Sequence, residues 1–345
     1  MTFSNKILAW YHENKRELPW RSTKDPYKIW LSEIMLQQTR VAQGLPYYEK
    51  FVAAFPTVFD LAKASEEKVL KLWQGLGYYS RARNMHSTAK TIVKDLDGNF
   101  PSTYKELLRL KGVGDYTASA IASISFNEPE PVVDGNVYRV LARYFGIDLA
   151  INSSEGIKYF KALAREIMNV NSIRDYNQGI MEFGAIQCAP KNPYCLHCPI
   201  NEGCISLKEN KVHKRPVKIK KTKVRKRYFN YLVVLDSNKN TLVEQRLGKG
   251  IWQNLYQFPL LETNIEIDIV VLKEEVPSFL KLESINDIFL YNDRPIVHKL
   301  SHQHLHTKFW IIHINNELEA GSTWENLGNF PVPVLIADFI KTFKI

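Results

Sequence analysis

Apolar residues in the first 200 or so positions recur every three or four residues, a spacing typical of helices packed on one face. Glycine and proline separate the apolar stretches, which favours short connections between helices. Asp134 precedes one predicted helix and Ser153 or Ser154 precedes another, so we expect N-caps there. The predicted helices cover 27–38, 58–72, 104–110, 116–125, 136–146 and 156–169.

The pattern becomes strand-like after residue 227. Short β-branched or aromatic runs lie between turn residues, and a helical pattern follows at 333–342. The predicted strands are 228–236, 241–247, 267–272 and 308–314. We therefore predict a mainly α N-terminal domain at 1–207 and a smaller α+β domain at 228–345.

The stretch between these domains, 208–227, holds eleven Lys or Arg and one Glu. Such a stretch is usually a solvated linker, and it can also lie along phosphates. The whole chain carries a net charge of +10, which permits an anionic polymer as partner.

A chain of 345 residues with 45% hydrophobic and 24% charged positions is long enough for two cores without disulfides. The first eighteen residues are too charged for a signal peptide, and no apolar run is long enough to span a membrane. We expect a cytoplasmic or nucleoid-associated protein with reduced thiols.

The four cysteines of the chain all lie in one proline-rich loop, 188–204. Their spacing is Cys-x6-Cys-x2-Cys-x5-Cys, with members Cys188, Cys195, Cys198 and Cys204. The group is either a four-thiolate metal centre or two disulfides. A reducing compartment favours the metal centre.

Two glycines, Gly112 and Gly114, lie between predicted helices in LKGVGDYTASAIASISF, residues 110–126. Backbone N–H groups of such a turn, followed by a helix N-terminus, can bind a phosphate without reading base sequence. A plain helical hairpin would use the same glycines, so this motif alone leaves both interpretations open.

Two carboxylates are candidates for acid–base chemistry. Asp134 opens a helix in PVVDGNVYRVLARYFG, where an N-cap is the ordinary role, and Asn136 could hold its carboxylate. Glu33 lies on an apolar helix, where it is either a solvated residue or an acid with a raised pKa. The residues alone do not decide between the structural and the catalytic role of either carboxylate.

Tyrosines and arginines are interleaved in KLWQGLGYYSRARNM, residues 71–85. Aromatic rings beside Arg81 and Arg83 suit stacking on bases together with phosphate contact. A helix hairpin that buries Tyr78 or Tyr79 is the alternative.

These motifs, in this order, resemble the helix-hairpin-helix DNA glycosylases of the endonuclease III superfamily. The segments LKGVGDYTASAI and VDGNVYRV and the cysteine spacing carry that resemblance. WLSEIMLQQTRV, GLGYYSRARN and the second domain are similar to the MutY branch, which removes adenine opposite 8-oxoguanine.

The resemblance implies a [4Fe–4S] cluster on the four cysteines and roles for both carboxylates. Glu33 would protonate the leaving adenine, and Asp134 would stabilise the cationic sugar or trap it covalently. Tyr116 and Asn136 match positions that support this site. Endonuclease III has an attacking lysine where this chain has Tyr116, so strand cleavage through a Schiff base is not expected.

The resemblance also implies DNA contacts. Arg21 and Glu182 would contact adenine, whereas Gln38 and Tyr78, with Thr39 nearby, would wedge into the base stack. Gly112 and Gly114 would hold a phosphate. Lys191 and His197 of the cysteine loop would face DNA.

GIWQNLYQFP, residues 250–259, resembles a segment of Nudix domains, but no Arg/Glu metal box follows it. The resemblance implies a Nudix-like domain without hydrolase activity whose Ser301 and His302 contact 8-oxoguanine. Leu300 replaces the usual Phe there. The alternating His302, His304 and His306 could instead form a metal site.

We therefore expect a monomeric, monofunctional adenine glycosylase that acts on double-stranded DNA with 8-oxoguanine:adenine or guanine:adenine mispairs, without membrane attachment. One alternative is an endonuclease III-like glycosylase for oxidised pyrimidines, against which Tyr116 and the second domain argue. Another is a zinc-containing DNA-binding module in which Glu33 is a surface residue and Asp134 only an N-cap.

Overall fold

The computed structural model describes residues 1–219, 224–282 and 284–345, which form two compact units. The helical unit comprises residues 1–63 together with the described residues from 84 to 219. The sheet unit comprises residues 64–83 together with the described residues from 224 onward. The predicted boundaries at 207 and 228 stay a prediction, and 220–223 of the predicted linker lie outside the described residues.

Twelve helices precede the sheet in the described sequence. They are α1 Phe3–Asn14, α2 Pro26–Leu36, α3 Val41–Ala54, α4 Val58–Lys63, α5 Glu66–Trp73, α6 Ser80–Leu96, α7 Tyr104–Leu107, α8 Asp115–Phe126, α9 Gly135–Tyr144, α10 Ser154–Ile167, α11 Ile173–Glu182 and α12 Ile205–Lys208.

Side-chain caps explain where several of these helices begin. Asp25 caps α2 with Pro26 in the first turn, and Ser153 caps α10 through the N–H of Gly156. The predicted helix 58–72 is two helices, because Ser65 accepts from the N–H of Lys68 and starts α5. The periodicity did not single out α1, α3, α6 or α11.

The core of the helical unit forms where α1 packs against α9 and α11. Ile7 and Tyr11 of α1 lie with Val137 and Leu141 of α9 and with Tyr176 of α11. Burial of such side chains stabilises the fold by roughly 1.5–3 kcal/mol each. This packing fixes α9 and α11, which carry several candidate site residues.

The sheet unit is built on one long parallel strand pair. The strands are β1 Arg225–Leu235, β2 Asn240–Thr241, β3 Glu244–Gln245, β4 Tyr256–Gln257, β5 Leu260–Thr263, β6 Asp287–Leu290, β7 Ile296–Lys299, β8 Gln303–His313 and β9 Ser322–Thr323. β1 pairs with β8 in parallel, with Tyr231 opposite Phe309, while β5 and β7 pair antiparallel with β1 and β8.

The sheet unit also contains α5 and two helices later in the sequence, α13 Ile269–Leu280 and α14 Val334–Thr342. The strand predicted at 267–272 is wrong, because α13 begins there. Asp268 accepts hydrogen bonds from the N–H groups of Val270 and Val271 and so caps a helix despite the β-branched run. The helix predicted at 333–342 is confirmed as α14. None of the described helices is both long and apolar enough to cross a membrane.

The basic stretch after residue 207 is partly folded onto the helical unit. Arg215 is 3% exposed and donates two hydrogen bonds of 2.7 Å to the carboxylate of Asp148. Glu209 also accepts from Arg215, and Val217 O accepts from the N–H of Ile151. Arg215 therefore forms a structural ion pair with Asp148 and does not belong to a solvated linker.

The two hairpin glycines are expected to respond differently to alanine. Gly112 has φ +78, and a Cβ there would lie 2.8 Å from Cβ of Asn84, whereas Gly114 is extended with open space. Gly112→Ala should lower the free energy of unfolding by about 2–3 kcal/mol and Gly114→Ala by less than about 1 kcal/mol. Urea denaturation followed by helical circular dichroism measures both, and equal losses would contradict this assignment.

Candidate active site

A cavity of about 170 Å³ opens inside the helical unit, which is several times the space one water molecule needs. Residues from α2, α8, α9 and α11 line it. Seven residues singled out from the sequence share this cavity: Arg21, Glu33, Thr39, Tyr116, Asp134, Asn136 and Glu182.

Glu33 reaches the cavity from the middle of α2, a helix that is buried on nearly all sides. The residue is 6% exposed, and its Oε2 is buried without a hydrogen-bond partner among the described residues. Burial raises the pKa of Glu33 to about 7, the nearby Asp134 adds to the rise, and Tyr116 offsets part of it. A neutral acid form of Glu33 therefore remains available near neutral pH.

Asp134 enters the cavity as the N-cap of α9. Its Oδ1 accepts from the backbone N–H groups of Asn136 and Val137, each at 2.8 Å, and its Oδ2 accepts from the side-chain amide of Asn136 at 2.7 Å. Burial raises the pKa of Asp134, while these hydrogen bonds and the charge of Arg139 oppose that rise. The capping bonds and the helix N-terminus favour the anionic form.

Tyr116, the second residue of α8, supplies a hydroxyl to the same cavity. Its O–H donates to the sulfur of Met181 at 3.5 Å. Burial, with the charges of Glu33 and Asp134, raises the pKa of Tyr116 well above its ordinary value. The hydroxyl stays protonated, so this position offers a hydrogen bond and neither a base nor an amine.

Glu182, at the end of α11, is clamped by two guanidinium groups. Arg16 donates from Nε at 2.7 Å and from Nη2 at 2.5 Å, and Arg21 donates at 2.9 and 2.6 Å. Burial alone would raise the pKa of Glu182, but these bonds outweigh it and lower the pKa to about 2. The carboxylate is an anion at any working pH, beside two cations.

A chain of hydrogen bonds leads from Asp134 to the cysteine loop. Asn136 accepts at 2.9 Å from Arg139, whose guanidinium also donates to the carbonyl of Gly184 at 2.5 Å and to that of Cys188 at 2.8 Å. A Cβ on Gly184 would lie 2.7 Å from Cβ of Asn136. Glycine there allows the loop to approach the start of α9 closely.

The four cysteines are free thiols that line one small apolar cavity. The guanidinium of Arg143 donates to Sγ of Cys188 at 3.4 Å and to the carbonyl of Ala189 at 2.8 Å. Burial raises the pKa of Cys198 to about 11, and the other three thiols add to this rise.

The disulfide alternative is wrong because all four thiols are free. Four thiols that line one cavity beside the guanidinium of Arg143 are a donor set that suits an iron–sulfur cluster.

The positions predicted to wedge into DNA adopt left-handed backbone conformations. Gln38, just after α2, has φ +54, and Tyr78 has φ +49 with 46% of its side chain exposed. Such conformations cost of order 1–3 kcal/mol outside glycine and cluster at functional sites. Tyr79 is buried, so one tyrosine of the pair belongs to the core, as the hairpin interpretation predicted.

Arg81 does not lie free on a DNA-facing surface. It is buried, donates to the carbonyl of Gly77 at 3.0 Å and stacks over Trp73, and burial lowers its pKa to about 10. Arg81 therefore has a structural role, and the expectation that it contacts phosphate is wrong.

Ser301 and His302 line a second cavity of about 710 Å³, inside the sheet unit. Tyr78 also lines this cavity, and its hydroxyl lies 2.7 Å from Oγ of Ser301. The ring of His306 packs on Tyr228.

Sequence reasoning missed Arg16, Gln178 and Met181, all of which line the helical-unit cavity. Gln178 and Met181 both lie on α11, where Gln178 is four residues before Glu182, one helical turn, and Met181 directly precedes it. Recognition of α11 would have revealed them. Arg16 lies between elements, and no periodic signal marks it.

Comparison with known proteins places these observations in a family. Residues 31–166 match the model of the HhH-GPD superfamily base excision DNA repair proteins, and residues 230–342 match the NUDIX domain. The adenine DNA glycosylase of Buchnera aphidicola subsp. Baizongia pistaciae is 35% identical over 355 aligned positions, covering 100% of this chain and 98% of that protein.

Two further comparisons agree. The adenine DNA glycosylase of Rattus norvegicus is 44% identical over 211 residues, 59% of this chain and 41% of that protein. A thermostable thymine-DNA glycosylase of known structure is 32% identical with a TM-score of 0.56, covering 60% of this chain and 95% of that one.

The fold, with its helical hairpin, cysteine loop and carboxylate-lined cavity, defines a base excision DNA repair protein of the helix-hairpin-helix type. Its second domain is Nudix-like, with a mixed sheet. The chain belongs to the adenine DNA glycosylase family.

Replacing the buried acid is expected to stabilise the protein in a pH-dependent way. Between about pH 4.5 and 7 the unfolded chain releases the proton of Glu33 while the folded protein retains it, so wild-type stability falls across this window. Glu33→Gln removes this loss and should raise the free energy of unfolding at pH 8 by about 1–3 kcal/mol, with little effect at pH 4. Urea titrations at both pH values measure this, and an equal effect at both would contradict the raised pKa.

Proposed function

We propose that this protein removes adenine mispaired with 8-oxoguanine or guanine by hydrolysing its N-glycosidic bond in double-stranded DNA. The observation that carries the proposal is the pair of carboxyl groups, Glu33 and Asp134, facing one cavity. Burial raises the pKa of both, but Asp134 accepts hydrogen bonds from the backbone at a helix start, whereas Oε2 of Glu33 has no hydrogen-bond partner among the described residues. The net charge of +10 and the glycosylase relatives support DNA as the partner, and we place the protein at the nucleoid as a monomer.

Glu33 acts as the general acid. Adenine is a poor leaving group as an anion, so bond cleavage needs a proton on a ring nitrogen. The unpartnered Oε2 of Glu33 and a pKa of about 7 allow that carboxyl to donate a proton near neutral pH. The cavity admits the base only after it leaves the duplex.

Asp134 stabilises the positive charge that develops on the sugar as the base departs. Its carboxylate is fixed by three hydrogen bonds from Asn136 and Val137, so little reorganisation is needed during the reaction. Water then completes hydrolysis, as in the two-carboxylate logic of glycoside cleavage.

Tyr116 supports the acid and excludes a Schiff-base route. A phenol with a raised pKa cannot attack the sugar as an amine does. The product is therefore an intact strand with an abasic site.

Arg21 and Glu182 hold the extruded adenine against Glu33. The salt bridges of Arg16 and Arg21 keep Glu182 anionic, which suits an acceptor for an exocyclic amino group. Gln38 and Tyr78, each in a left-handed conformation, enter the base stack, and Thr39 lies near the opened pair. Gly112 and Gly114 bind a phosphate through backbone N–H groups.

The four cysteines hold a [4Fe–4S] cluster, which when bound supplies a charged, rigid core for the loop. Arg139 and Arg143 lie on α9 and donate hydrogen bonds to the backbone carbonyls of Cys188 and Ala189, respectively. These bonds connect the cysteine loop to α9. Exposed Lys191 and His197 of the same loop face DNA.

The sheet unit reads the base opposite adenine. We call residues 300–302 the lesion loop, in which the Ser301 hydroxyl and the His302 ring contact 8-oxoguanine. Leu300 lines the same cavity and presents an aliphatic side chain.

Duplexes that carry each mispair test the reaction directly. End-labelled strands should break only after alkali, because the enzyme leaves an abasic site, and adenine should be released opposite 8-oxoguanine or guanine. The single-turnover rate should fall as pH rises through about 7, and Glu33→Gln should lose at least about a thousandfold while still binding the duplex. Strand cleavage without alkali, or retained turnover in Glu33→Gln, would reject the mechanism.

The lesion loop has its own test. Ser301→Ala combined with His302→Ala should reduce the preference for 8-oxoguanine over guanine by about tenfold, because polar contacts to one base are lost. The measurement is the ratio of single-turnover rates on the two mispairs. A ratio equal to that of the wild type would show that another part of the protein reads the lesion.

A further inference from the structure

The sheet unit contains a segment that is distant from the sheet in sequence. Residues 64–83, which include α5 and the start of α6, belong to the same compact unit as β1–β9. Lys71 donates to the carbonyl of Phe330 at 2.9 Å, and the side chain of Gln74 accepts from the N–H of Val332. The Nudix-like region is therefore held in place partly by a piece of the preceding sequence.

A second set of contacts reaches a strained turn, residues 250–254, which we call the Trp252 turn. Gly250, Trp252 and Asn254 have φ values of +137, +58 and +64. A left-handed backbone is unfavourable for tryptophan and persists only where its surroundings over-determine it. The turn is thus sensitive to the groups that hold it.

Two side chains of the 64–83 segment hold the residues that follow Trp252. Nη1 of Arg83 donates to the carbonyl of Gln253 at 2.8 Å, and Nδ2 of Asn254 donates to Oε1 of Glu66 at 2.5 Å. Both anchors lie within two residues of the left-handed tryptophan.

The Trp252 turn packs against the strand that leads into the lesion loop. Trp252 is 8% exposed, and its ring lies 5.7 Å from that of His298. His298 belongs to β7, which leads directly into residues 300–302. From the opposite direction, Tyr78 meets Ser301. Tyr78 of the 64–83 segment therefore supports the lesion loop directly. Arg83 and Glu66 of the same segment support it indirectly, through the Trp252 turn.

We infer that Arg83 and Glu66 are positioning residues that set the discrimination between 8-oxoguanine and guanine. The inference rests on the proposed function of the lesion loop. The two bases differ by one carbonyl oxygen and one N–H group, so discrimination depends on hydrogen bonds that weaken steeply when a partner is displaced. Arg83 and Glu66 fix the turn and the loop relative to Tyr78. Arg83 also lines the cavity that contains Ser301 and His302, whereas Glu66 does not, so Glu66 tests positioning by itself.

The test compares Arg83→Ala, Arg83→Lys and Glu66→Ala with a matched control, Lys71→Met. Lys71 also donates to a backbone carbonyl inside the sheet unit, but its acceptor, Phe330, lies outside the Trp252 turn. Single-turnover rates and dissociation constants are measured for adenine opposite 8-oxoguanine and opposite guanine, and each variant is melted thermally.

Arg83→Ala and Glu66→Ala should each lower the 8-oxoguanine-to-guanine ratio by at least about fivefold, with a smaller change in the rate on guanine:adenine. Arg83→Lys should recover part of the ratio because it retains a donor, and Lys71→Met should keep the wild-type ratio within about twofold. A merely structural role would reduce both rates together and leave the ratio unchanged.

An unchanged ratio in folded Arg83→Ala and Glu66→Ala overturns the inference, as does an equal fall in Lys71→Met. Where Arg83→Ala does not fold, Glu66→Ala decides, because alanine is compatible with the first turn of α5. Wild-type protein that releases no adenine from either duplex would refute the proposed function instead, so the two failures are distinguishable.

Discussion

The structure depends on the burial of one ionisable group, Glu33, in the interior of a helix that is otherwise apolar. Desolvation holds its pKa near 7, and the same desolvation makes the ionised form costly to the fold. The burial that keeps the acid form of Glu33 available at neutral pH therefore also lowers the free energy of unfolding there. Asp134, the N-cap of α9, faces the same cavity: burial raises its pKa, and the backbone hydrogen bonds that a helix N-terminus provides oppose that rise.

In the proposed mechanism, an ordinary helix cap also takes part in catalysis. Asp134 caps α9 as any aspartate would, yet its second oxygen and Asn136 connect the cap to Arg139 and the cysteine loop. The capping role and the proposed catalytic role of Asp134 are therefore compatible, because the same carboxylate position serves both. The same holds for the hairpin, where Gly112 is required by its backbone conformation and Gly114 leaves open space beside the N-terminus of α8.

In the proposed function, the sheet unit recognises the base opposite adenine. Its parallel β1–β8 pair lies at the centre of the sheet, and residues 64–83 hold the Trp252 turn and contact the lesion loop. The left-handed Trp252 and the contact between Tyr78 and Ser301 then lie beside the residues that we propose to distinguish 8-oxoguanine from guanine. The unit is therefore built from two separate stretches of sequence.

The sequence by itself determined the helical and mixed architecture, the cysteine loop and the residue types of the cavity, because these depend on periodicity, spacing and caps. It predicted a strand where Asp268 caps α13, since a β-branched run has the same pattern in a strand and at a helix start. Only the tertiary structure decided that Glu33 is buried and not solvated, that Arg215 and Arg81 are structural, and that Arg16 joins Glu182. Burial and ion pairing arise between residues far apart in the chain, and no local pattern contains them.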